Sequence, residues 1–313
     1  MIGEPSYSPL VSVIIPNYNH AQFLKERIDS VLNQTFNDVE VIILDDCSTD
    51  NSREIIESYR GQEKISHIEY NAANSGSPFA QWQKGLSYAK GSWIWFAESD
   101  DVAAFDFLET LMRCPGKLKY TMSRIIDKNS IPSNCYGFDS MPSGKHFAAF
   151  NDGFSMPGPS FVNQWMLRDN FIPNASAVLI ETALAREVMA TIGMELSTFR
   201  LIGDWVFWVE CLMRTDQITY CPLPLNDFRN HEDTMRAAGL INRTLEMEGM
   251  LSALKRHKIS LDSTISTLLY RYLAKESFPL FTIKDHFFVV QMAIRYRFFW
   301  LYCKSLIKSL SKR

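Results

Sequence analysis

Glycine is missing from the turn that follows the first apolar run: Val11 to Ile15 leads through Pro16 into Asn17-Tyr18-Asn19-His20. An ordinary dinucleotide fold carries a G-x-G-x-x-G loop there, because its backbone must approach a pyrophosphate closely, so that fold is disfavoured. Cysteine is sparse: the six are scattered, with no C-x-x-C pair. The spacing offers no zinc ribbon or dithiol redox motif and reads as free or buried thiols in a reducing cytosol. The N-x-S/T triplets at Asn33, Asn174 and Asn242 then carry no glycan. No uncharged apolar stretch reaches the ~18 residues that span a bilayer. The opening residues also lack a basic segment followed by an apolar run, so the expected location is cytoplasmic. Net charge is only −3, which gives no argument for nucleic acid as a partner. Internal repeats are absent.

What is present is core material and an uneven charge. Hydrophobic residues make up 46% of the 313, ample for a core, and the length suits one large domain or one domain with a helical appendage. From Lys284 to Arg313 the chain holds seven basic residues and one acidic one, which leaves 25 Lys and Arg against 34 Asp and Glu elsewhere. An acidic body thus ends in a basic segment.

Apolar patterning alternates between two periods. Val11–Ile15, Val39–Leu44, Ile65–Tyr70 and Ser92–Ala97 read as strands, the first ending at Pro16. Phe23, Leu24, Ile28, Val31 and Leu32 fall at helical spacing. A helix through Ile55 and Ile56 has Ser48, Thr49 and Asp50 as cap candidates, and a third spans Phe79–Ala89. This β-α-β-α-β-α-β order predicts a mostly parallel sheet flanked by helices. The Ser-, Gly-, Pro- and Asn-rich stretch after Asp127 reads as loops, assigned with the residues up to Asn170 to an acceptor side. Order returns at Ala177–Ile180, in a helix over Asp204–Arg214, and in a strand over Ile218–Arg229 interrupted by Pro222 and Pro224. The chain reads as helical from Ala237.

Three polar clusters stand where strands end: Pro16-Asn17-Tyr18-Asn19, Asp45-Asp46 and Glu98-Ser99-Asp100-Asp101. Open α/β sheets bind ligands beyond such ends. Carboxylates crowded together repel one another unless a cation sits among them. Hard oxygen donors suit Mg²⁺ or Mn²⁺, held by one or two carboxylates together with substrate phosphates. At the neighbouring strand end, Asp45-Asp46 can accept from a base N–H or a ribose hydroxyl. Together the clusters read as a nucleoside-diphosphate pocket.

These residues carry a resemblance. VSVIIPNYN, LDDCSTDNS, NSGSPFAQWQKGL, AKGSWIWFAESDD, IPNASAVLI, GDWVFWVE and FRNHEDTMR occur in that order. The set resembles the family 2 glycosyltransferases of the GT-A fold, in particular bacterial members that build capsule, O-antigen and other surface polysaccharides, over Pro9 to Arg236. The resemblance implies a GT-A type, Rossmann-like catalytic domain over 1–236 and a helical extension over 237–313. It implies that Pro16, Asn17 and Tyr18 hold base and ribose, and that Asp46, with Asp45 beside it, reads the base. Glu98, Asp100 and Asp101 occupy the metal-binding motif, where Glu98 departs from the usual Asp. Asp204 matches the catalytic base, His231 completes the metal shell, and Arg229 approaches the diphosphate. Lys84 is a candidate phosphate contact, while Trp82 on the same helix reads as core.

The implied reaction is inverting transfer from a nucleotide-sugar donor to a saccharide or lipid-linked saccharide acceptor. Two alternatives stay open: a sugar nucleotidyltransferase, disfavoured by the glycine-free first turn, and a catalytically silent nucleotide-sugar binder. Plain structural readings stand beside each role, since Asp204 and Asp46 can be helix caps and His231 an ordinary satisfied histidine. On a continuous helical wheel the tail from Lys284 sets Arg297, Lys304 and Lys308 opposite Ile294, Phe299, Cys303, Leu306, Ile307 and Leu310. That pattern predicts peripheral contact with an anionic membrane surface at its inner face, anchored by Phe298 to Leu301, through a segment the body can lose and still fold.

Overall fold

The structure is a computed structural model of the 313-residue chain. It describes residues 9–135, 150–172, 174–200, 202–230, 240–260, 263–270, 283–295 and 297–303. β1 (Val11–Asn17), α1 (Ala21–Leu32), β2 (Val39–Asp45), α2 (Ser52–Ser58), β3 (Ile65–Tyr70), α3 (Pro78–Tyr88) and β4 (Trp93–Phe96) form in the expected order. Pro16 does not end β1. The even residues of β1 turn their amides toward β4, where Ala97 N–H donates to the Ile14 carbonyl. β4 pairs no further than Phe96 opposite Ile14, so the missing Pro16 N–H costs no ladder bond. The N-cap position of α2 falls to Asn51, which makes no side-chain cap bond, while Asp50 before it accepts Ser52 N–H on Oδ1 at 3.0 Å.

Beyond this half come β5 (Val102–Ala103), α4 (Phe107–Arg113), β6 (Leu118–Ile126), β7 (Pro132–Cys135), β8 (Phe154–Met156) and α5 (Gly158–Phe161). They are followed by β9 (Val178–Glu181), α6 (Thr182–Leu196), α7 (Gly203–Leu212) and β10 (Ile218–Arg229). Among the described residues the sheet runs β3-β2-β1-β4-β9-β6-β10-β5, with β7 on β6 and β8 on β10. β3, β2, β1 and β4 are parallel, and β6 and β10 are parallel to each other. β9 enters antiparallel between β4 and β6, so those two still point the same way. The Pro222/Pro224 interruption appears as register shifts between Cys221 and Asn226.

Alternation along the strands feeds two cores. Val11, Val13 and Ile15 of β1 pack with Leu24, Ile28 and Ile56 beneath α1 and α2. Ile14 faces the opposite side with Trp82, Leu86, Val206 and Phe207 from α3 and α7. α1 and α2 therefore cover one face and α3 the other, which puts the topological switch between β1 and β4. The carboxyl ends of β1, β2, β4, β6 and β10 share one edge at that switch.

α8 (Leu240–Arg256), α9 (Ser263–Tyr270) and α10 (Ile283–Arg295) follow, and then the short segment 297–303. Met247, Met250, Leu268, Val289, Phe298 and Tyr302 join the core that holds α3 and α7. The tail departs from its expectation. Arg297 sits at φ +62°, in the left-handed region, so α10 does not run on as one helix and the continuous wheel fails. Phe298 is 1% exposed and packs inward rather than serving as an anchor. Residues 304–313 lie outside the described residues. Among the described residues no helix is long and apolar enough to cross a membrane.

Candidate active site

The β1–α1 and β2–α2 loops are laced together at the switch point. Asn17 Nδ2 donates to Asp45 Oδ1 at 2.8 Å, and Ser48 donates to the same carboxylate through its hydroxyl at 2.6 Å and its backbone N–H at 2.9 Å. Asn19, at φ +55°, accepts Thr49 N–H on its Oδ1 at 2.8 Å. Pro16 and Asn17 are buried, and Asn17 Oδ1 has no hydrogen-bond partner among the described residues. Tyr18 stands 45% exposed at the edge of this cradle. His20 Nδ1 lies 2.8 Å from Ser99 Oγ, which joins the first loop to the acidic one.

Asp46 faces a different task from the expected one. Its Oδ1 accepts from Asn71 Nδ2 at 2.6 Å, Gln81 Nε2 at 2.8 Å and Ser75 N–H at 2.9 Å, while Oδ2 accepts the Ser75 hydroxyl at 2.7 Å. A carboxylate offers about four lone-pair sites, so Asp46 is filled by Asn71 and Ser75 of the loop it organises and by Gln81 of α3. Lys84 is likewise occupied: its ammonium pairs with Glu69 and hydrogen-bonds Asn71 Oδ1. It braces α3 against β3 and is not a free phosphate contact.

The acidic loop after β4 rests on two buried guanidiniums. Arg27 Nε donates to the Glu98 carbonyl at 2.7 Å, and its Nη2 lies 3.9 Å from Asp101 Oδ2. Burial pulls the Arg27 guanidinium below its usual value, against the fields of Asp101, Asp100 and Glu98. Arg229 is the second. Expected at the diphosphate, it is 0% exposed and its donors are taken. Nε reaches the Asp100 carbonyl at 2.6 Å, Nη1 the Asp127 carbonyl at 2.8 Å and Ser130 Oγ at 3.0 Å, and Nη2 Glu26 Oε2 at 2.7 Å. Stacked 4.5 Å from the Phe23 ring, it clamps the loop from below.

The three carboxylates of that loop differ. Asp101 is buried, its Oδ1 accepting Arg229 N–H at 2.9 Å and its Oδ2 Asn174 Nδ2 at 3.0 Å. Burial, then the neighbouring Asp100, raises its carboxyl above the usual range. Glu98 uses its longer arm to turn inward, where Trp82 Nε1 donates to Oε1 at 2.8 Å. Burial and the field of Asp100 push it up to about 8. Asp100, like Glu98, is half-buried. His231 lies outside the described residues.

Among the described residues no three His, Cys, Asp or Glu side chains enclose an ion. The donor set still fits a hard divalent cation of the open kind. Asp100 and the second Glu98 oxygen are oxygen donors, phosphates can complete the shell, and a cation relieves the crowding that raises Glu98 and Asp101. Both Asp101 oxygens already serve the fold, one through Arg229 N–H and one through Asn174.

Asp204 opens α7. A Cβ on Gly203 would lie 2.3 Å from Phe79 Cε2, so only glycine lets the helix start this close to α3. Asp204 Oδ1 accepts Trp205 N–H at 2.7 Å, and Oδ2 accepts Asn170 Nδ2 at 3.2 Å. Burial outweighs both bonds and pushes the carboxyl up to about 7, with Glu246 adding its field.

Sequence reasoning missed Arg27, Asn170 and the bracing turn around Asn174. Ser176 Oγ accepts Glu98 N–H at 3.0 Å, and Ser176 N–H donates to Asn174 Oδ1 at 2.7 Å. The signal for the turn was present in IPNASAVLI, whose Asn and Ser precede an antiparallel strand. Asn170 and Arg27 carry no such signal.

An open sheet with β9 reversed beside the switch point, and acidic loops at one edge, is the GT-A type of fold. Residues 12–129 match the family described as Glycosyl transferase family 2. It is 31% identical over 147 residues to glycosyltransferase GlyG of Streptococcus pneumoniae, covering 47% of this chain and 46% of that protein. The chain's match thus spans about half the length of that relative. It is 38% identical over 94 residues to the Staphylococcus aureus poly(ribitol-phosphate) beta-N-acetylglucosaminyltransferase TarS, covering 29% of this chain and 16% of TarS. By structure, TarS 1–349 in complex with UDP-GlcNAc superposes with TM-score 0.62 at 18% identity, covering 88% of this chain and 77% of that one. Mannosyltransferase PcManGT of Pyrobaculum calidifontis, in complex with GDP-Man and Mn²⁺, gives TM-score 0.54 at 13% identity, covering 99% of this chain and 89% of that one.

Proposed function

We propose that this chain is an inverting glycosyltransferase that moves a sugar from a nucleoside-diphosphate sugar to a hydroxyl of a saccharide or lipid-linked saccharide acceptor in surface-polysaccharide synthesis. The observation that carries the reading is Asp204: a carboxyl at a helix start, fixed by Asn170 and its own backbone, and raised by burial to about 7. A general base works best when its proton affinity lies near the working pH.

In this mechanism the nucleoside lies in the cradle of Pro16, Asn17, Tyr18 and the Asp45–Asp46 loops, with the unpartnered Asn17 Oδ1 as an acceptor for it. Asp100, with Glu98 beside it, would hold a divalent ion, Mg²⁺ or Mn²⁺, which would supply countercharge for the diphosphate. Arg27 and Arg229 hold the acidic loop in place from beneath. Asp204 takes the proton from the acceptor hydroxyl. The acceptor oxygen forms its bond to the sugar C1 as the C1–O bond to the diphosphate breaks, and the electron pair leaves with the diphosphate. Attack on the face opposite the leaving group inverts the anomeric centre.

In this reading 1–236 is the catalytic domain and 237–313 is an extension that completes its core. The exposed apolar and basic side chains of the last described segment touch an anionic membrane surface. The deciding experiment screens nucleotide sugars with Mn²⁺ or Mg²⁺ for release of nucleoside diphosphate with and without saccharide acceptors. Binding of a nucleotide sugar with no turnover under any condition would replace this reading with that of a silent binder. Formation of a nucleotide sugar from a sugar phosphate would replace it with a nucleotidyltransferase.

A further inference from the structure

The carboxyl of Asp204 is set on a turn that another helix holds. Glu246 lies on α8, in the stretch expected to be an appendage, and is 4% exposed. Its Oε1 accepts Arg200 N–H at 3.0 Å and its Oε2 accepts Ile202 N–H at 2.9 Å. Ile202 is the residue from which α7 starts, and Asp204 is the second residue of that helix. A carboxylate gripping two backbone amides with separate oxygens fixes both the position and the tilt of the turn. Packing repeats the grip one helical turn further on, where a Cβ on Gly249 would lie 2.1 Å from Phe199 Cζ. Only glycine there lets α8 meet the turn this closely.

We infer that Glu246 is a positioning residue for the reaction: through the amides of Arg200 and Ile202 it sets where the Asp204 carboxyl stands, so α8 belongs to the catalytic apparatus. This rests on the reading of Asp204 as the base.

A second, electrostatic link runs alongside the mechanical one. Asp204 feels opposed influences from the elements around it. Asn170 faces it as a neutral donor, and the orientation of that amide is fixed because Asn170 Oδ1 accepts Ile172 N–H at 3.1 Å. Only its NH₂ end is left for Asp204, and that bond favours the ionised form. Glu246 acts in the other direction, its field favouring the protonated form. α3 contributes the uncharged Phe79 ring against Gly203. The base is therefore poised between a donor from the loop before β9 and an anion from α8.

The test uses the full-length chain labelled at aspartate carboxyl carbons, with the Asp204 resonance assigned by its loss in Asp204→Asn. In Glu246→Gln the midpoint of that resonance should fall by about half a unit to one unit, because a nearby negative charge is removed. In Asn170→Ala it should rise by a similar amount. Amide exchange at Arg200 and Ile202 should quicken in Glu246→Gln and stay slow in Asn170→Ala. Transfer by Glu246→Gln should fall ~10-fold or more through kcat with little change in KM, the mark of a displaced catalytic group. An unchanged Asp204 midpoint with unchanged exchange in Glu246→Gln overturns the inference. So does a Glu246→Gln chain that fails to fold, since Glu246 is then a stability residue. If Asp204→Asn itself retains transfer, the base assignment fails, and the titration still decides whether Glu246 governs this carboxyl.

Discussion

Arg229 and Asp101 are joined backbone to side chain, the Arg229 N–H donating to Asp101 Oδ1 at 2.9 Å while the Arg229 guanidinium holds the Asp100 carbonyl at 2.6 Å. One residue at the end of β10 thus pins both aspartates of the loop after β4. Because β10 and β4 end at the same edge, the pin needs no long loop. It also leaves Asp101 little to offer a ligand.

Replacing Arg229 should therefore damage the fold before it damages donor binding. Arg229→Ala strands the Asp100 and Asp127 carbonyls and unpairs Glu26. A buried acceptor left without its donor costs about 1–3 kcal/mol, while the Glu26 partner is exposed and its ion pair adds little. Thermal unfolding should show a large drop with or without nucleoside diphosphate. A variant with wild-type melting and selectively weakened nucleotide binding would return Arg229 to the diphosphate.

Asp100 and Asp101 should separate in the same way. Asp100→Asn is expected to keep the melting temperature and lose Mn²⁺-dependent binding of nucleoside diphosphate. Asp101→Asn should melt lower, since its oxygens serve Arg229 N–H and Asn174. Calorimetric titration of each variant with metal and nucleoside diphosphate tests the split, and equal binding defects with equal stability would refute it.

Much of this arrangement was legible from residue order. The β1 to β4 alternation follows from period-two and period-3.6 apolar spacing, and local pattern specifies local elements. The acidic edge was legible because strand ends carry the ligands in such sheets. Which carboxylate faces outward was not. Asp101 is claimed by Asn174 and Arg229, which lie 73 and 128 residues further along the chain, and no local pattern encodes such partners. The inward turn of Glu98 depends on Trp82, which by spacing was simply a core residue. The tail misled because a wheel assumes one helix, and Arg297 at φ +62° breaks it.

Asp204→Asn should keep nucleotide binding and lower transfer by ~10² to 10⁴. In the wild type the rate should climb as pH rises through about 7, as the Asp204 proton leaves. The same substitution should stabilise the protein in alkali. The folded carboxyl holds its proton up to about 7, while the unfolded one loses it near 4. The folded state thus binds more protons between those values, and stability falls with rising pH across that window. An asparagine carries no such penalty, so its melting temperature should exceed that of the wild type at pH 8 and converge with it toward pH 4. A variant less stable at pH 8 than at pH 4, relative to wild type, would contradict the assigned shift.

The proposed membrane contact is best tested at side chains the fold does not need. Deleting everything from Lys284 would remove Val289, Ala293, Phe298 and Tyr302, all packed in the core with α7, so the expectation that the body survives that deletion is corrected. Loss of transfer after truncation would report unfolding rather than detachment. Phe287, Ile294, Phe299 and Trp300 are exposed instead, Trp300 by 78%. Arg297 is also exposed beside them, whereas Arg295 is tied to Glu248 at 2.8 Å. Aromatic side chains with neighbouring cations suit the headgroup region of an anionic bilayer, and each nearby Lys or Arg contributes about 1 kcal/mol, screened by salt. Changing Phe287, Phe299 and Trp300 together to serine should leave the melting temperature nearly unchanged, because surface substitutions stay within about ±0.5 kcal/mol each. Sedimentation with vesicles containing anionic lipid should fall, while transfer to a small saccharide acceptor in solution persists. High salt should release much of the wild-type protein and make the two chains behave alike. If both stay in the supernatant with anionic vesicles at low salt, the patch is not a membrane contact.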